Sequence, residues 1–139
     1  MQQLKASKEI VVRFNEVDSM NIVWHGSYAL YFEDARAAFG EKYGLGYLDI
    51  YAAGYYAPLV DLSFTFKNPL LYGNKARVDI VFRNVEAAKI IFHYEIHAQD
   101  DNRLLTAGQS TQVFLDREYR LVWTNPPFYE QWKRKHHLL

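Results

Sequence analysis

Asp18 and His25 stand seven positions apart in the stretch Phe14-Asn-Glu-Val-Asp-Ser-Met-Asn-Ile-Val-Trp-His-Gly-Ser-Tyr28. The stretch runs directly into Ala-Leu-Tyr-Phe-Glu-Asp-Ala-Arg36, which reads as the beginning of an apolar helix. A helix start presents backbone N–H groups without intrahelical acceptors, together with the positive end of the helix dipole. A carboxylate or imidazole beside such an end can direct water onto an activated carbonyl. The N–H groups can then receive the charge that develops on its oxygen. Asp is also a common turn residue, because its side chain bonds its own backbone. Asp18 taken alone therefore reads first as a loop acid.

The elements that must position this segment follow from periodicity. Glu9 to Phe14 alternates, with Ile10, Val12 and Phe14 on one face, which predicts a strand. From Tyr28 to Tyr43 the period becomes helical: Tyr28, Phe32, Ala35 and Phe39 recur, while Leu30, Tyr31 and Ala38 widen the apolar surface. Gly44 and Gly46 supply the stop. Such a helix spans roughly 24 Å at about 1.5 Å per residue, and its breadth of apolar surface predicts protein around it. Tyr47–Ala53 has no clear period. Three alternating runs then predict strands: Val60 to Lys67, Ala76 to Arg83, and Ile90 to Gln99. Leu105 to Leu115 is a weaker fourth. Asp116–Tyr119 reads as a turn into Arg120–Trp123, and Phe128–His137 as a last, basic helix. The order is strand, long helix, then about four strands. It fits an α+β domain over residues 1–139, an antiparallel sheet carrying the helix on its concave face. The edges of an open sheet of this kind are often closed by dimerisation.

Composition narrows the chemistry. The 139 residues carry 16 basic and 16 acidic side chains, which argues against the concentrated positive field of nucleic-acid binding. There is no cysteine, so disulfides, thiolate metal sites and cysteine nucleophiles are excluded. The first residues hold no apolar signal core and no run is long enough to span a bilayer, so a cytoplasmic protein without membrane insertion is expected. His93 and His97 share one strand face about 13 Å apart at roughly 3.3 Å per residue, too far to hold one metal. His136 and His137 read as a solvated end. No metal and no cofactor are expected. Glu33 and Arg36, three apart, read as an intrahelical pair. Tyr43, Tyr47, Tyr51, Tyr55 and Tyr56 read first as core or interface packing, with an acyl pocket as the alternative.

The opening segment and the element order together resemble the hotdog-fold family of 4-hydroxybenzoyl-CoA thioesterases and YbgC-like acyl-CoA thioesterases. Members carry an aromatic or apolar residue, Asp four positions later, a short loop, and a His or aromatic residue opening the central helix. Phe14, Asp18, Val23, Trp24, His25 and Tyr28 stand in those places, followed by Phe32, Glu33 and Arg36. Phe66-Lys-Asn-Pro-Leu-Leu-Tyr-Gly-Asn74 is similar to the family's segment between the second and third strands. The chain departs from the pattern at Ser27, where Asn is frequent, at Asn74, where Asp is frequent, and at Glu86-Ala87-Ala88, where the benzoyl-type enzymes have a basic cluster. The resemblance implies hydrolysis of an acyl-CoA thioester at a site between two subunits of a homodimer or dimer of dimers, with an acyl carrier protein as the alternative carrier. It implies Asp18 as base or nucleophile, the His25 backbone N–H polarising the carbonyl, and the His25 imidazole as a second catalytic candidate. Phe14, Val23, Trp24, Gly26, Tyr28, Lys67 and Lys89 are then candidates for substrate binding. Two other readings remain. One is a hotdog hydratase or dehydratase, whose Asp and His usually stand closer with Asn-Pro between them. The other is a non-catalytic module that binds acyl thioesters.

Overall fold

A computed structural model describes residues 3–139. Six strands, β1 (Lys5–Val11), β2 (Leu59–Phe66), β3 (Lys75–Arg83), β4 (Lys89–Ala98), β5 (Leu104–Leu115) and β6 (Leu121–Val122), form one antiparallel sheet. The order is β1-β3-β4-β5-β2, with β6 on the end of β5. Three helices accompany it: α1 (Tyr28–Tyr43), α2 (Tyr47–Ala52) and α3 (Pro127–Lys135).

The long helix α1 occupies the expected span and lies against the sheet. Phe32 is fully buried, stacked on Tyr94 of β4 with ring centres 4.0 Å apart and planes 3° from parallel. Two turns further along, Phe39 meets Phe92 at 4.9 Å. The helix ends where Gly44 adopts φ +75° and its N–H returns to the Gly40 carbonyl at 2.8 Å, a conformation open to glycine because it lacks a Cβ.

Four local expectations are corrected. The first strand begins and ends earlier than its alternation predicts. Val12 keeps two ladder-like bonds, its N–H to the Asn74 carbonyl at 2.9 Å and its carbonyl accepting the Gly73 N–H at 3.0 Å. The Glu16 carboxylate then accepts the Arg13 N–H at 2.8 Å and winds Phe14–Glu16 into a 3-10 turn. Phe14 is thereby thrown out of the sheet and is 76% exposed. The unphased Tyr47–Ala53 segment is the short helix α2, started by Asp49 accepting the Gly46 N–H at 2.8 Å. Arg36 does not pair with Glu33. Its guanidinium donates to the Tyr94 hydroxyl at 3.0 Å, and that hydroxyl lies 2.5 Å from Ser110 Oγ; a buried phenol offers a better-desolvated partner than an exposed helix neighbour. Finally, one face of the basic tail is docked, His136 included, while His137 is exposed as expected. Trp132 donates to the Tyr43 carbonyl at 2.8 Å and His136 lies 3.3 Å from the same oxygen. Lys133 is buried, with Nζ donating to the Val85 carbonyl at 2.7 Å, and burial lowers its pKa.

The seat of α1 also explains Gly108 on β5. A Cβ there would overlap both the Phe32 ring and the Ser63 carbonyl of β2. Neither can retreat without disturbing the core or the β2–β5 ladder. Gly108→Ala is therefore expected to destabilise the fold by about 1–3 kcal/mol, read as a lower urea midpoint at unchanged slope. An unchanged midpoint would show that the contact is slack.

Candidate active site

The segment between β1 and α1 is folded back on itself by a buried carboxylate. Glu16 is 7% exposed. Besides the Arg13 N–H, it accepts the Tyr31 hydroxyl at 3.0 Å and the Arg13 Nε at 3.2 Å. Its backbone carbonyl accepts the Trp24 N–H at 2.9 Å and the Ser27 hydroxyl at 3.1 Å. One residue thus ties the start of the loop to its end and to the first turns of α1. Burial, reinforced by the Glu16 carboxylate, pushes the Tyr31 hydroxyl far above the usual tyrosine range. Sequence reasoning passed over Glu16, because an acid next to an exposed loop gives no sign that it faces inward. Its signal was Tyr31 on the helix, whose hydroxyl needs a partner once buried.

Within this frame Asp18 is half-buried. Its Oδ1 accepts the Met20 N–H at 2.8 Å and the Ile22 N–H at 3.4 Å, and Asn21 completes the tight turn at φ +65°. The turn-acid reading of Asp18 is thus correct as far as it goes, and it leaves Oδ2 outside those bonds. The returning strand is pinned by the Val23 N–H to the Leu70 carbonyl at 2.8 Å and by an Ile22–Leu71 bridge. A 3-10 turn, His25–Ser27, leads straight into α1. The Ser27 N–H returns to Trp24. The N–H groups of His25 and Gly26 have no backbone acceptor among the described residues.

Asp18, Val23, His25, Tyr28 and Lys67 line one cavity of about 360 Å³, together with Phe66 and Pro69. Burial raises the pKa of the Tyr28 hydroxyl, so at neutral pH it is a hydrogen-bonding phenol and not a charge. Trp24 does not line the cavity; it is half exposed, its ring 4.9 Å from that of His25. Gly26 lies beneath the Trp24 ring, where a Cβ would collide with it. Phe14 does not line the cavity and packs edge-on against Tyr72 at 5.8 Å. Lys89 begins β4 opposite Val113, at the other end of the sheet from Lys67, which bonds to Leu105. One chain alone does not bring Lys89 or Phe14 to Asp18. Asn74 has a structural duty: its Oδ1 accepts the Leu71 N–H at 2.9 Å. The tyrosine run divides. Tyr43 bonds the Lys5 backbone, Tyr55 packs on Phe128, and Tyr47, Tyr55 and Tyr56 line a second cavity of about 280 Å³ with Glu33 and Arg36.

A carboxylate, unengaged N–H groups at a helix start and an apolar cavity wall are the parts that acyl transfer requires. The family model of the thioesterase-like superfamily matches residues 12–133. The chain belongs to that superfamily. Among relatives, it is 32% identical over 113 residues to the Bacillus subtilis protein named "Putative acyl-CoA thioesterase YneP", covering 81% of each chain. It is 28% identical over 114 residues to the Arabidopsis thaliana acyl-acyl carrier protein thioesterase ATL3, covering 82% of this chain but 60% of that longer one. Among solved structures, the DHNA-CoA thioesterase of Staphylococcus aureus superposes with a TM-score of 0.83 at 25% identity, covering 96% of this chain and 92% of the other. The hotdog architecture expected from the sequence is therefore the fold of this superfamily member. Among the described residues there is no group of three His, Asp or Glu placed to hold a metal, and no helix long and apolar enough to cross a membrane.

Because Glu16 closes the loop, its loss leaves the Tyr31 hydroxyl and the Arg13 N–H without their partner. Glu16→Ala is expected to cost about 1–3 kcal/mol in denaturant unfolding. In a double-mutant cycle with Tyr31→Phe the two losses should fall well short of additive. Simple additivity would dissolve the proposed tether.

Proposed function

We propose that this superfamily member hydrolyses an acyl- or aryl-CoA thioester to the free acid and CoA. The observation that carries the reading is that Asp18 and His25, the residue that opens the helix start, line one cavity while the His25 and Gly26 N–H groups have no backbone acceptor among the described residues. The thioester carbonyl oxygen is received by those N–H groups at the positive end of α1. With Asp18 as base, water loses a proton to the carboxylate as its oxygen attacks the carbonyl carbon. The tetrahedral intermediate then collapses with cleavage of the C–S bond, and the thiolate leaves and is protonated. With Asp18 as nucleophile, the same C–S cleavage yields a mixed anhydride that water opens. The leaving thiolate is stable enough that one carboxylate and two donors form a sufficient set. Lys67 at the cavity mouth and the half-exposed Trp24 flank the route of entry.

A second copy of the chain completes the site in this reading. β2 ends the sheet with one edge unpaired within the chain, and Leu59, Val60 and Phe66 on it are exposed. An edge of this kind is a template for pairing with another strand. Antiparallel pairing of two β2 strands centred near Leu62 and Ser63 sets Leu59 of one copy beside Phe66 of the other. The cavity lined by Tyr47, Tyr55 and Tyr56, which includes Leu59, then meets the Asp18 cavity, which includes Phe66. The acyl group occupies the tyrosine-lined space and the reacting carbonyl stays at the helix start. The protein works in the cytoplasm, where CoA thioesters are made and used.

Thiol release from short, long and aromatic acyl-CoAs tests the reading. Asp18→Asn preserves the Oδ1 acceptor for Met20 and Ile22, so the loop should hold its shape while turnover falls by about 10²–10⁴-fold. A variant that folds and keeps the wild-type rate would end the proposal. Dehydration or hydration without thiol release would point to the lyase chemistry of related hotdog enzymes. Val60→Lys, on the free edge, is expected to shift the protein to monomer in sedimentation velocity and to lower turnover in parallel. A fully active monomer would remove the shared-site assembly.

A further inference from the structure

The Asp18 cavity has a second, polar cavity behind one of its walls. About 420 Å³ in volume, it is lined by Leu70, Gly73, Asn74, Lys75, Gln99, Asp100 and Arg103, with Leu105 at its base. The wall between the two is the short stretch Asn68–Leu70. Asn68 and Pro69 face the Asp18 cavity, and Leu70 faces the second while its carbonyl holds the Val23 N–H of the first. The wall is rigidly held: Asn68 Nδ2 donates to the Leu104 carbonyl at 2.8 Å, and the Lys67 and Asn68 N–H groups both reach the Leu105 carbonyl.

Three cations surround this wall. Lys67 stands at the mouth of the Asp18 cavity, and Lys75 and Arg103 line the second one. Among the described residues Lys67 and Lys75 make no ion pair, and the pair between Arg103 and Asp101 is long, 3.4 Å, and solvent-exposed, so it holds Arg103 only weakly. Asp100 is the one acid lining the cavity. Several other basic residues are engaged elsewhere, Arg77 on Asp79, Arg117 on the Tyr51 ring and carbonyl, Arg36 on Tyr94, and Lys133 on Val85, and Arg83 and Lys89 line neither of these two cavities. Gly73, at φ +82°, has nothing within 4 Å of the place a Cβ would take, so the cleft is open at that turn.

We infer that this cleft, with Lys75 and Arg103 as its charged walls and Lys67 as the bridge to the Asp18 cavity, binds the phosphate esters at the far end of a pantetheine thioester. The inference rests on the thioesterase reading for its ligand. Pantetheine itself is uncharged, so the phosphates supply the charge that unengaged Lys and Arg side chains are suited to take. The turn from β3 to β4, with Glu86-Ala87-Ala88, is flanked by Arg83 and Lys89, neither of which borders the Asp18 cavity or its neighbour. The 67–75 segment and the β4–β5 turn therefore take over the role of grip. The phosphates come from free CoA or from a phosphopantetheinyl carrier protein, which share the phosphate nearest to pantetheine.

Titration calorimetry tests the cleft without relying on turnover, using CoA, pantetheine, 4′-phosphopantetheine and adenosine 3′,5′-bisphosphate. Wild type should bind CoA at least tenfold more tightly than pantetheine, and the double variant Lys75→Glu/Arg103→Glu should erase the difference while leaving pantetheine affinity within twofold. A matching loss for 4′-phosphopantetheine marks a site that serves both carriers; a loss for the bisphosphate alone marks one that serves CoA. The inference is overturned if wild type shows no preference for CoA over pantetheine. It is equally overturned if the variant binds CoA as wild type does, or if the variant loses CoA and pantetheine alike. Thiol release by wild type is measured beside it. Binding that behaves as expected with no hydrolysis would fault the catalytic reading and spare the cleft, whereas hydrolysis with variant-insensitive CoA binding would do the reverse.

Discussion

The contact on which the rest depends is the seat of α1 on the sheet. Phe32 is stacked on Tyr94 and meets Phe64 of β2 at 5.0 Å, over a β5 backbone that is close enough only because position 108 is glycine. A ring of this size, fully buried, contributes several kcal/mol of the stabilisation available to a domain of this length. Its consequence for function is directional. Once Phe32 is fixed, the first turn of α1 has one place to begin, and the His25 and Gly26 N–H groups point from there. Donors that stabilise a developing charge must be in position before the reaction, since reorganising them during it forfeits the gain.

The second layer of control is the tether at Glu16. The loop that carries Asp18 enters the core through Val23, with Val17 packed against it, and the rest of a surface loop left to itself is mobile. Holding it with one buried carboxylate concentrates several hydrogen bonds, to Arg13 and Tyr31, in a place of low dielectric. The unused backbone carbonyl of the same residue gathers Trp24 and Ser27. Asp18 is therefore braced from behind by a second acid that takes no part in the cavity. Two carboxylates two residues apart serve opposite ends: Glu16 faces the interior and is saturated with donors, while Asp18 keeps one oxygen outside its turn bonds.

Much of this was legible in the sequence, and for identifiable reasons. The helix over Tyr28–Tyr43 was visible because its apolar residues repeat at helical spacing and two glycines end it. Strands β3 and β4 were visible because one face is buried and the other is wet. Asp18, Val23, His25 and Tyr28 could be named together because the spacing of the opening segment resembles a known family, with Lys67 a candidate basic residue from the 66–74 segment, and the structure gathers those five around one cavity. The illegible parts share a cause. Phe14 continued the alternation of β1, yet a hydrogen bond from Arg13 to Glu16 ended the strand before it. Arg36 had a textually obvious partner in Glu33, yet a phenol from a strand 58 positions away took it. The burial of Lys133 and the docking of His136 depend on carbonyls at Val85 and Tyr43 that no local pattern announces. Sequence periodicity reports which face of an element is buried. It does not report which distant group a polar side chain meets there.

The placement of the thioester carbonyl at the start of α1 is the central claim, and amide NMR addresses it directly. A CoA thioether bearing a ketone one carbon from sulfur binds as the substrate does but cannot be hydrolysed. On its addition the His25 and Gly26 amide protons should move downfield by more than any others in the Asp18–Tyr28 segment, as they gain a carbonyl acceptor. Saturated binding that leaves both amides where they were would contradict the account.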